Sequence, residues 1–168
     1  MTQFEIDSIA DLYRNGSHDP YNASWSAFIR DTKTQFDALV SSGWRFSLSD
    51  TEPYPDSASM FEDIATRNLR VFTGGSLVPD HPLNHSIGVW TLNLMFRAVH
   101  DVLGHGPNKA PFETFDGEVD AYRNHALRYS SEAIPALYSE TVGQLCHYYA
   151  GHGFVEQQKA VILPVVYI

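Results

Sequence analysis

Two histidines and a later glutamate are the residues of this chain best suited to chemistry. His100 and His105 begin and end the run HDVLGH near the end of a predicted helix, and Glu140 lies on a later one. Five positions along an α-helix correspond to a rotation of roughly 140° and a rise of ~7.5 Å, so the two imidazoles diverge on a straight helix. A helix that unwinds at Gly104 would bring His105 back beside His100. The competing pair is Asp101 and His105, which lie four residues apart on one helical face.

The ligand set that this arrangement predicts is two imidazoles and one carboxylate. Glu140 shares a polar stripe with Gln144 and His147, at spacings of four and three residues. A carboxylate that turns inward needs a partner, because an unpaired buried charge is costly. A metal ion held by His100, His105 and Glu140 would keep open coordination positions, as in Fe(II) oxygenases and in catalytic zinc sites. The alternative is that each histidine only caps a helix end.

Four further polar residues are candidates for holding or serving those ligands. Glu118 and His125 lie two turns apart on one predicted helix and could fix a ligand imidazole by its free N–H. Otherwise they belong to a solvated helix face. Gln144 could orient the ligand glutamate or be an ordinary helical residue. Asp101 could act as a base near the metal or pair with an arginine one turn back.

Composition and charge exclude several classes of protein. The 168 residues are 43% hydrophobic and 18% charged, which is typical of one globular domain. No apolar run approaches the ~20 residues that span a bilayer. The acidic, amphipathic N-terminus does not resemble a signal peptide, so we expect a cytoplasmic protein. The net charge of −9 argues against direct nucleic-acid binding. The single cysteine, Cys146, cannot form an internal disulfide and is predicted to be a small buried apolar residue.

Hydrophobic periodicity predicts a single α+β domain that is mostly helical. The run LRVFTGG, residues 69–75, predicts a strand, and 44–56 is predicted to be a loop because of its two prolines. The central helix is predicted at about 87–103. Its buried stripe is predicted to contain Val89, Leu92, Met95, Phe96, Val99 and Leu103. The other helices are predicted at 4–14, 23–41, 58–68, 113–128, 132–150 and 155–163, ahead of the apolar tail PVVYI. Residues 1–68 form the N-terminal helices in this scheme, and 69–168 form the metal-binding core.

The run HDVLGHGP, followed by a phenylalanine and later by YSETVG, resembles the catalytic core of the aromatic amino acid hydroxylases, which include phenylalanine hydroxylase. The pattern of that family is H-E-x-x-G-H-x-P, then a phenylalanine, then a helix with a ligand glutamate. The resemblance covers about residues 69–164. It implies a trimmed hydroxylase-like helical domain in which Fe(II) is bound by His100, His105 and Glu140. The chain is also similar to phage and actinobacterial proteins that carry an HDxFGH run, which would place a phage-encoded form in the host cytoplasm.

Several family positions hold other residues in this chain. Asp101 stands where the family has Glu or Gln. The arginine that pairs with the carboxylate of the amino-acid substrate aligns with Pro79 or Asp80, and the aromatic residue that stacks on the pterin aligns near Asp63. A tryptophan one turn before the ligand glutamate is replaced by Ala136. The resemblance therefore implies an iron site but not a free aromatic amino acid as substrate, and reduced pterin would lack its stacking residue.

These patterns together predict a non-haem Fe(II)-dependent monooxygenase or hydroxylase that acts with O₂ on a small molecule or a modified residue. The first alternative is a metal-dependent hydrolase, because the ligands also suit zinc and HD at residues 100–101 is the dyad of HD-type phosphohydrolases. The second alternative is a non-enzymatic interaction protein with a structural metal. Metal identity and O₂ consumption distinguish the three.

Overall fold

The computed structural model describes residues 1–165, and within that range the chain has a mostly helical α+β architecture, as predicted. The α-helices are α1 (Gln3–Asn15), α2 (Ala23–Ser41), α3 (Ser57–Ala65), α4 (Leu92–His100), α5 (Phe115–Ala126), α6 (Ile134–Tyr138) and α7 (Gln144–His147). The strands are β1 (Arg45–Ser49), β2 (Asn68–Phe72), β3 (Ser86–Ile87) and β4 (Trp90–Thr91). None of the helices described is both long enough and apolar enough to cross a bilayer.

Polar side chains start the two N-terminal helices where the sequence predicts them. Thr2 begins α1 with a capping box, and the side chain of Asn22 accepts a hydrogen bond at the start of α2. Both helices agree with their predicted bounds to within one residue at each end. The inward face of α2 carries Trp25 and Phe28, which are almost completely buried and form the centre of the core.

A parallel strand pair lies where the sequence predicted one strand and a loop. β2 overlaps the strand predicted at 69–75 but ends at Phe72, and β1 falls inside 44–56, so the loop prediction was wrong there. β1 pairs with β2 in a register that sets Arg45 opposite Asn68, and α3 connects the two strands. Pro53 and Pro55 follow β1 and do not interrupt it. The strand was missed because most of its short sequence, RFSLS, is exposed and carries no apolar run.

The central helix was predicted at about 87–103, but α4 begins only at Leu92. The side chain of Thr91 caps α4 by accepting a hydrogen bond from the backbone N–H of Leu94. The preceding residues form the β3–β4 hairpin, with Gly88 at a φ of 64°. Val89, which was predicted to be in the buried stripe, is exposed at this turn. The other members of the stripe are buried or partly buried: Leu92, Met95, Phe96, Val99 and Leu103.

The helix predicted at 132–150 is present as a continuous run through α6, a π-turn and α7. The described residues contain three π-turns: the first is Asp101–His105 after α4, the second is Ser139–Gly143 between α6 and α7, and the third is Tyr148–His152 after α7. Leu137 and Tyr138 are completely buried on the core face of the run. Cys146 lies on the same helix and is a buried free thiol, as predicted.

The helix predicted at 155–163 is not formed, so that prediction was wrong. The segment is extended, and Leu77 forms an isolated parallel bridge with Gln158. The backbone N–H of Gln158 donates to the carbonyl of Ser76, and the N–H of Val78 donates to the carbonyl of Gln158. This pairing satisfies backbone groups that a short helix ahead of Pro164 would leave open. The last three residues of the tail PVVYI lie outside the described range.

Candidate metal centre

A π-turn brings the two histidines of HDVLGH together. α4 continues directly into the first π-turn, Asp101–His105, where the backbone N–H of Gly106 donates to the carbonyl of Asp101 at 3.1 Å. Hydrogen bonding from i to i+5 widens the helix, so residues five apart lie on the same side. The ring centroids of His100 and His105 are therefore only 5.1 Å apart. The predicted route, unwinding at Gly104, was wrong because this glycine lies within the π-turn.

Gly104 is required for space. A Cβ atom at this position would lie 2.9 Å from the carbonyl oxygen of Ala121 on α5 and 3.1 Å from Nδ1 of His100. Such distances are shorter than a methyl group tolerates without displacement of its neighbours. The missing side chain lets the first π-turn pack against α5 and leaves the His100 ring in place.

The ring of His105 is held by a backbone carbonyl. Its Nδ1 lies 2.8 Å from the carbonyl oxygen of Ala110, and an oxygen of this kind only accepts hydrogen bonds. Nδ1 therefore carries the proton, and Nε2 presents a lone pair on the opposite side of the ring. Burial lowers the pKa of His105, which favours the neutral form that a metal ligand requires.

The ring of His100 is held by a second histidine. Its Nδ1 lies 3.0 Å from Nδ1 of His125 on α5, and His125 is completely buried. Burial holds the pKa of His100 well below its usual range, and burial also lowers the pKa of His125 to about 3. His125 thus contacts one of the two imidazoles that the sequence predicts to bind a metal, and its supporting role stays a prediction. With Nδ1 of His100 engaged, Nε2 is the atom available to a metal.

Glu118 supplies a carboxylate beside the two rings. Its Oε2 lies 3.7 Å from Nε2 of His105. One ligand atom from each of His100, His105 and Glu118 lies within 4.8 Å of the other two, which suits a single ion held by three residues. Burial raises the pKa of Glu118 to about 8, and the nearby carboxylates of Asp101 and Glu113 act in the same direction. A cation between the rings would offset this cost of burying the carboxylate.

Glu140, the carboxylate predicted as the third ligand, lies outside this group among the described residues. It is buried on the second π-turn, beside Gln144 and Arg97. Burial raises its pKa to about 7, and the hydrogen bond from Gln144 and the positive charge of Arg97 oppose that rise. Gln144 is therefore next to Glu140, as expected for a residue that orients it. The ligand role of Glu140 stays a prediction.

Asp101 lines the same cavity as His100, His105 and Arg97. Burial raises the pKa of Asp101 to about 7, and the charge of Arg97 opposes the rise. Arg97 is itself fixed, because one terminal nitrogen donates to the carbonyls of Phe72 and Gly74 at 2.8 and 2.7 Å. The expected pairing of Asp101 with an arginine one turn back is thus present as a charge interaction in the wall of the site.

A cavity of about 540 Å³ opens over these groups. His100, Asp101, His105 and Glu118 contribute to its polar side, together with Gln144. Its aromatic wall consists of Tyr54, Phe72, Phe112 and Phe154. A metal at the histidines would therefore be open to a bound molecule on one side, which distinguishes it from a closed structural site.

Positions that align with the family's substrate and pterin residues are engaged in other contacts. Asp80 lies 3.0 Å from Nε2 of His18. Asp63 accepts hydrogen bonds from the hydroxyl of Tyr54 and from Nε of Arg70, both at 3.0 Å. The structure thus gives neither aspartate a contact of the kind that the hydroxylases use for substrate or pterin.

The sequence did not identify Gln35, which contacts His125, and it gave Arg97 no place in the cavity wall. Gln35 on α2 meets Nε2 of His125 through its side-chain oxygen at 3.0 Å, and no local pattern links it to HDVLGH. Arg97 had a signal, because it lies one turn before Asp101 on the same helix, but its place in the cavity wall depends on β2.

No family model, curated protein or solved structure was found to match the chain. The functional argument therefore depends on the geometry of these residues.

Proposed function

We propose that the protein is a non-haem Fe(II)-dependent oxygenase, of the hydroxylase type, whose metal is held by His100, His105 and one glutamate. The observation that carries this proposal is the group of two buried imidazoles and Glu118, within 4.8 Å of one another at the wall of an open cavity. Two imidazoles and a carboxylate leave coordination positions for O₂ and substrate. The resemblance of the HDVLGH run to the aromatic amino acid hydroxylases supports the same metal.

The residues of the site have separate parts in this proposal. His100, His105 and Glu118 bind the ion and fix it against the cavity, while Ala110 and His125 hold the two rings. Bound Fe(II) would supply the redox chemistry that activates O₂, with electrons from a reduced pterin, another reductant or the substrate. The side chains of the cavity would supply the rest of the catalysis, because they would orient the bound molecule and exclude water from it.

Two polar residues in the cavity wall serve the substrate. Asp101 lies beside His100 and is placed to exchange a proton with a molecule bound in the cavity. Gln144 is oriented by Gln158, whose side-chain nitrogen donates to the Gln144 oxygen at 2.8 Å. One hydrogen of the Gln144 amide is engaged with Glu140, and the other is left to donate to a substrate oxygen.

Glu118 is the better-placed third ligand, and Glu140 is the alternative that the family resemblance implies. The two carboxylates can be separated with Glu118→Gln and Glu140→Gln, which keep side-chain size and remove the charge. Protein purified without oxygen and loaded with Fe(II) should contain one iron per chain. We expect Glu118→Gln to lose most of this iron and Glu140→Gln to keep most of it, by elemental analysis. The reverse pattern would assign the ligand to Glu140, and stoichiometric iron in both variants would place the carboxylate elsewhere.

The substrate in this proposal is a small molecule or modified residue with an apolar or aromatic group and without a free carboxylate. The aromatic wall provides the apolar surface. A carboxylate in a partly dry pocket needs a guanidinium that is free to bind it. Arg70 is paired with Asp63, and Arg97 is bound to two carbonyls and faces Glu140. Incubation of the iron-loaded protein with phenylalanine, tyrosine and tryptophan, O₂ and a reduced pterin should therefore give no hydroxylated product.

A metal-dependent hydrolase is the second candidate, because two imidazoles and a glutamate at an open cavity also suit catalytic zinc. Stoichiometric zinc in protein produced with both metals available, and no O₂ consumption after iron loading, would favour the hydrolase. The open cavity argues against a purely structural metal in an interaction protein. O₂ consumption that depends on iron and on His100 would favour the oxygenase.

A further inference from the structure

A chain of three hydrogen-bonded side chains, His100, His125 and Gln35, connects the side of His100 that faces away from the proposed metal to the helix α2. Nδ1 of His100 meets Nδ1 of His125 at 3.0 Å, and Nε2 of His125 meets Oε1 of Gln35 at 3.0 Å. Gln35 lies 65 positions before His100 in the sequence, and its side chain is only half-buried. The chain thus crosses from α4 through α5 to α2.

The direction of hydrogen bonding in this chain is set at Gln35. Its side-chain nitrogen donates to the backbone carbonyl of Arg128 at 3.3 Å, and a rotated amide would turn oxygen toward oxygen there. The Gln35 oxygen therefore faces His125 and can only accept. The proton of His125 must then be on Nε2, because a completely buried imidazole with one acceptor is favoured in its neutral form.

We propose that Gln35 is a positioning residue that fixes the tautomer of His100 and thereby makes its Nε2 a metal ligand. With the proton of His125 on Nε2, Nδ1 of His125 is a bare acceptor. His100 must donate to it from Nδ1, which leaves the lone pair of His100 on Nε2. This inference rests on the proposed role of His100 in metal binding.

His105 provides an internal reference for this effect. Its Nδ1 donates to the carbonyl of Ala110, which is part of the backbone and which no substitution at Gln35 can reverse. A backbone carbonyl thus orients the His105 ring. The His100 ring depends on the side chain of Gln35, which a substitution can change. A change at Gln35 should alter His100 and leave His105 unchanged.

The tautomers can be measured in the metal-free protein by long-range ¹H–¹⁵N correlation spectra of the imidazole rings. We expect His100 and His105 to carry the proton on Nδ1 and His125 to carry it on Nε2. A proton on Nε2 of His100 in the wild-type protein would overturn the proposal. This measurement needs neither metal nor activity, so it decides the tautomer even if the proposed function fails.

Variants at Gln35 test whether that tautomer matters for the metal. Gln35→Met removes the acceptor at similar size, and we expect mixed tautomers at His125 and His100 and metal affinity about 10-fold to 100-fold weaker, with Co(II) as the probe. Gln35→Glu keeps an acceptor toward His125 but turns its second oxygen toward the carbonyl of Arg128, so we expect a smaller loss of metal affinity than in Gln35→Met. Thr34→Glu, at the exposed neighbouring position, controls for the added negative charge.

The results separate the two proposals. Wild-type affinity in Gln35→Met, with unchanged His100 tautomer and melting temperature, would overturn the role of Gln35. Failure of the wild-type protein to bind any metal, with the expected tautomers present, would overturn the proposed function instead. If Gln35→Met does not fold, the wild-type spectrum and the comparison of Gln35→Glu with Thr34→Glu still decide the question, because a carboxylate at position 34 has no contact with His125.

Discussion

The chain contains two pairs of histidines five residues apart, and in both pairs the rings lie close together. The centroids of His100 and His105 are 5.1 Å apart, and those of His147 and His152 are 4.9 Å apart. The first pair closes across a π-turn. The second pair also spans a π-turn, Tyr148–His152, but inside this turn Gly151 has a non-helical backbone with a φ of 87°. The departure from helical geometry at a glycine that the sequence suggested for the first pair is therefore found in the second pair.

The surroundings of the two pairs differ much more than their spacing. His100 and His105 are 9% and 3% exposed, whereas His152 is exposed. Each ring of the buried pair has a partner at Nδ1, and Glu118 lies beside them. His147 has a 3.2 Å contact with the carbonyl of Gly153, but among residues 1–165 no carboxylate joins the pair in a metal-binding group. Proximity of two imidazoles is therefore easily reached, while burial, orientation and a third ligand distinguish a candidate site.

The largest expected effect is the change in metal affinity when both histidines of one pair are replaced by alanine. His100→Ala with His105→Ala should weaken metal binding by more than about 100-fold, because both neutral ligands are lost. His147→Ala with His152→Ala should leave the tight site intact and at most remove weak additional binding. Calorimetric titration with Co(II) measures both. Loss of the tight site in the second double variant would reverse the assignment of the two pairs.

A smaller effect on stability and metal affinity should distinguish Gly104 from Gly151 when each is replaced by alanine. Gly104→Ala should lower the free energy of unfolding by about 1–3 kcal/mol and weaken metal binding, since its Cβ would displace Ala121 or the ring of His100. Gly151→Ala should cost about 1–2 kcal/mol because of its positive φ, without a change in metal affinity. Chemical denaturation and metal titration check both variants. An unchanged affinity in Gly104→Ala would show that the His100 ring tolerates the closer contact.

The smallest effect concerns His81, a fourth buried histidine, and sharpens the distinction between buried and exposed imidazoles. Burial lowers the pKa of His81 from 6.5 to about 4. Between these values the imidazole of His81 is more often protonated in the unfolded chain than in the folded one, so its contribution to stability should fall as the pH decreases from about 6.5 to about 4.

The pH effect can be isolated by substitution. His81→Gln should flatten this part of the stability profile, because it removes the buried imidazole. The matched change at an exposed histidine, His152→Gln, should leave the wild-type slope. Denaturant unfolding at a series of pH values measures both, and an equal slope in wild type and His81→Gln would assign the effect to other groups.

The sequence predicted the proximity of His100 and His105 better than it predicted the cause. Spacing and residue type pointed to a shared site, but the choice between a π-turn and an unwound helix depends on how Gly104 packs against Ala121. Glu118 was expected behind a ligand, and its place beside His105 follows from the packing of α5 on the first π-turn. No local pattern contains that information.

The same limit explains the errors in the fold. The helices α1 and α2 carry their own caps and apolar stripes, so their bounds could be read from the sequence. The strand β1 and the extended segment around Gln158 are defined by backbone pairing with β2 and Leu77, which are distant in sequence. A segment whose conformation is set by its partner gives little signal of its own.

The three residues proposed to bind the metal, His100, His105 and Glu118, all lie within one stretch of the chain from α4 to α5. Closing a loop of this length costs little chain entropy, so an ion could gather these ligands early in folding. The residue that orients His100 comes from α2, and its contact forms only when the N-terminal helices have docked. An ion captured by these three residues would then reach its final ligand geometry only after α2 has docked, so a fully oriented His100 would report a completely folded chain.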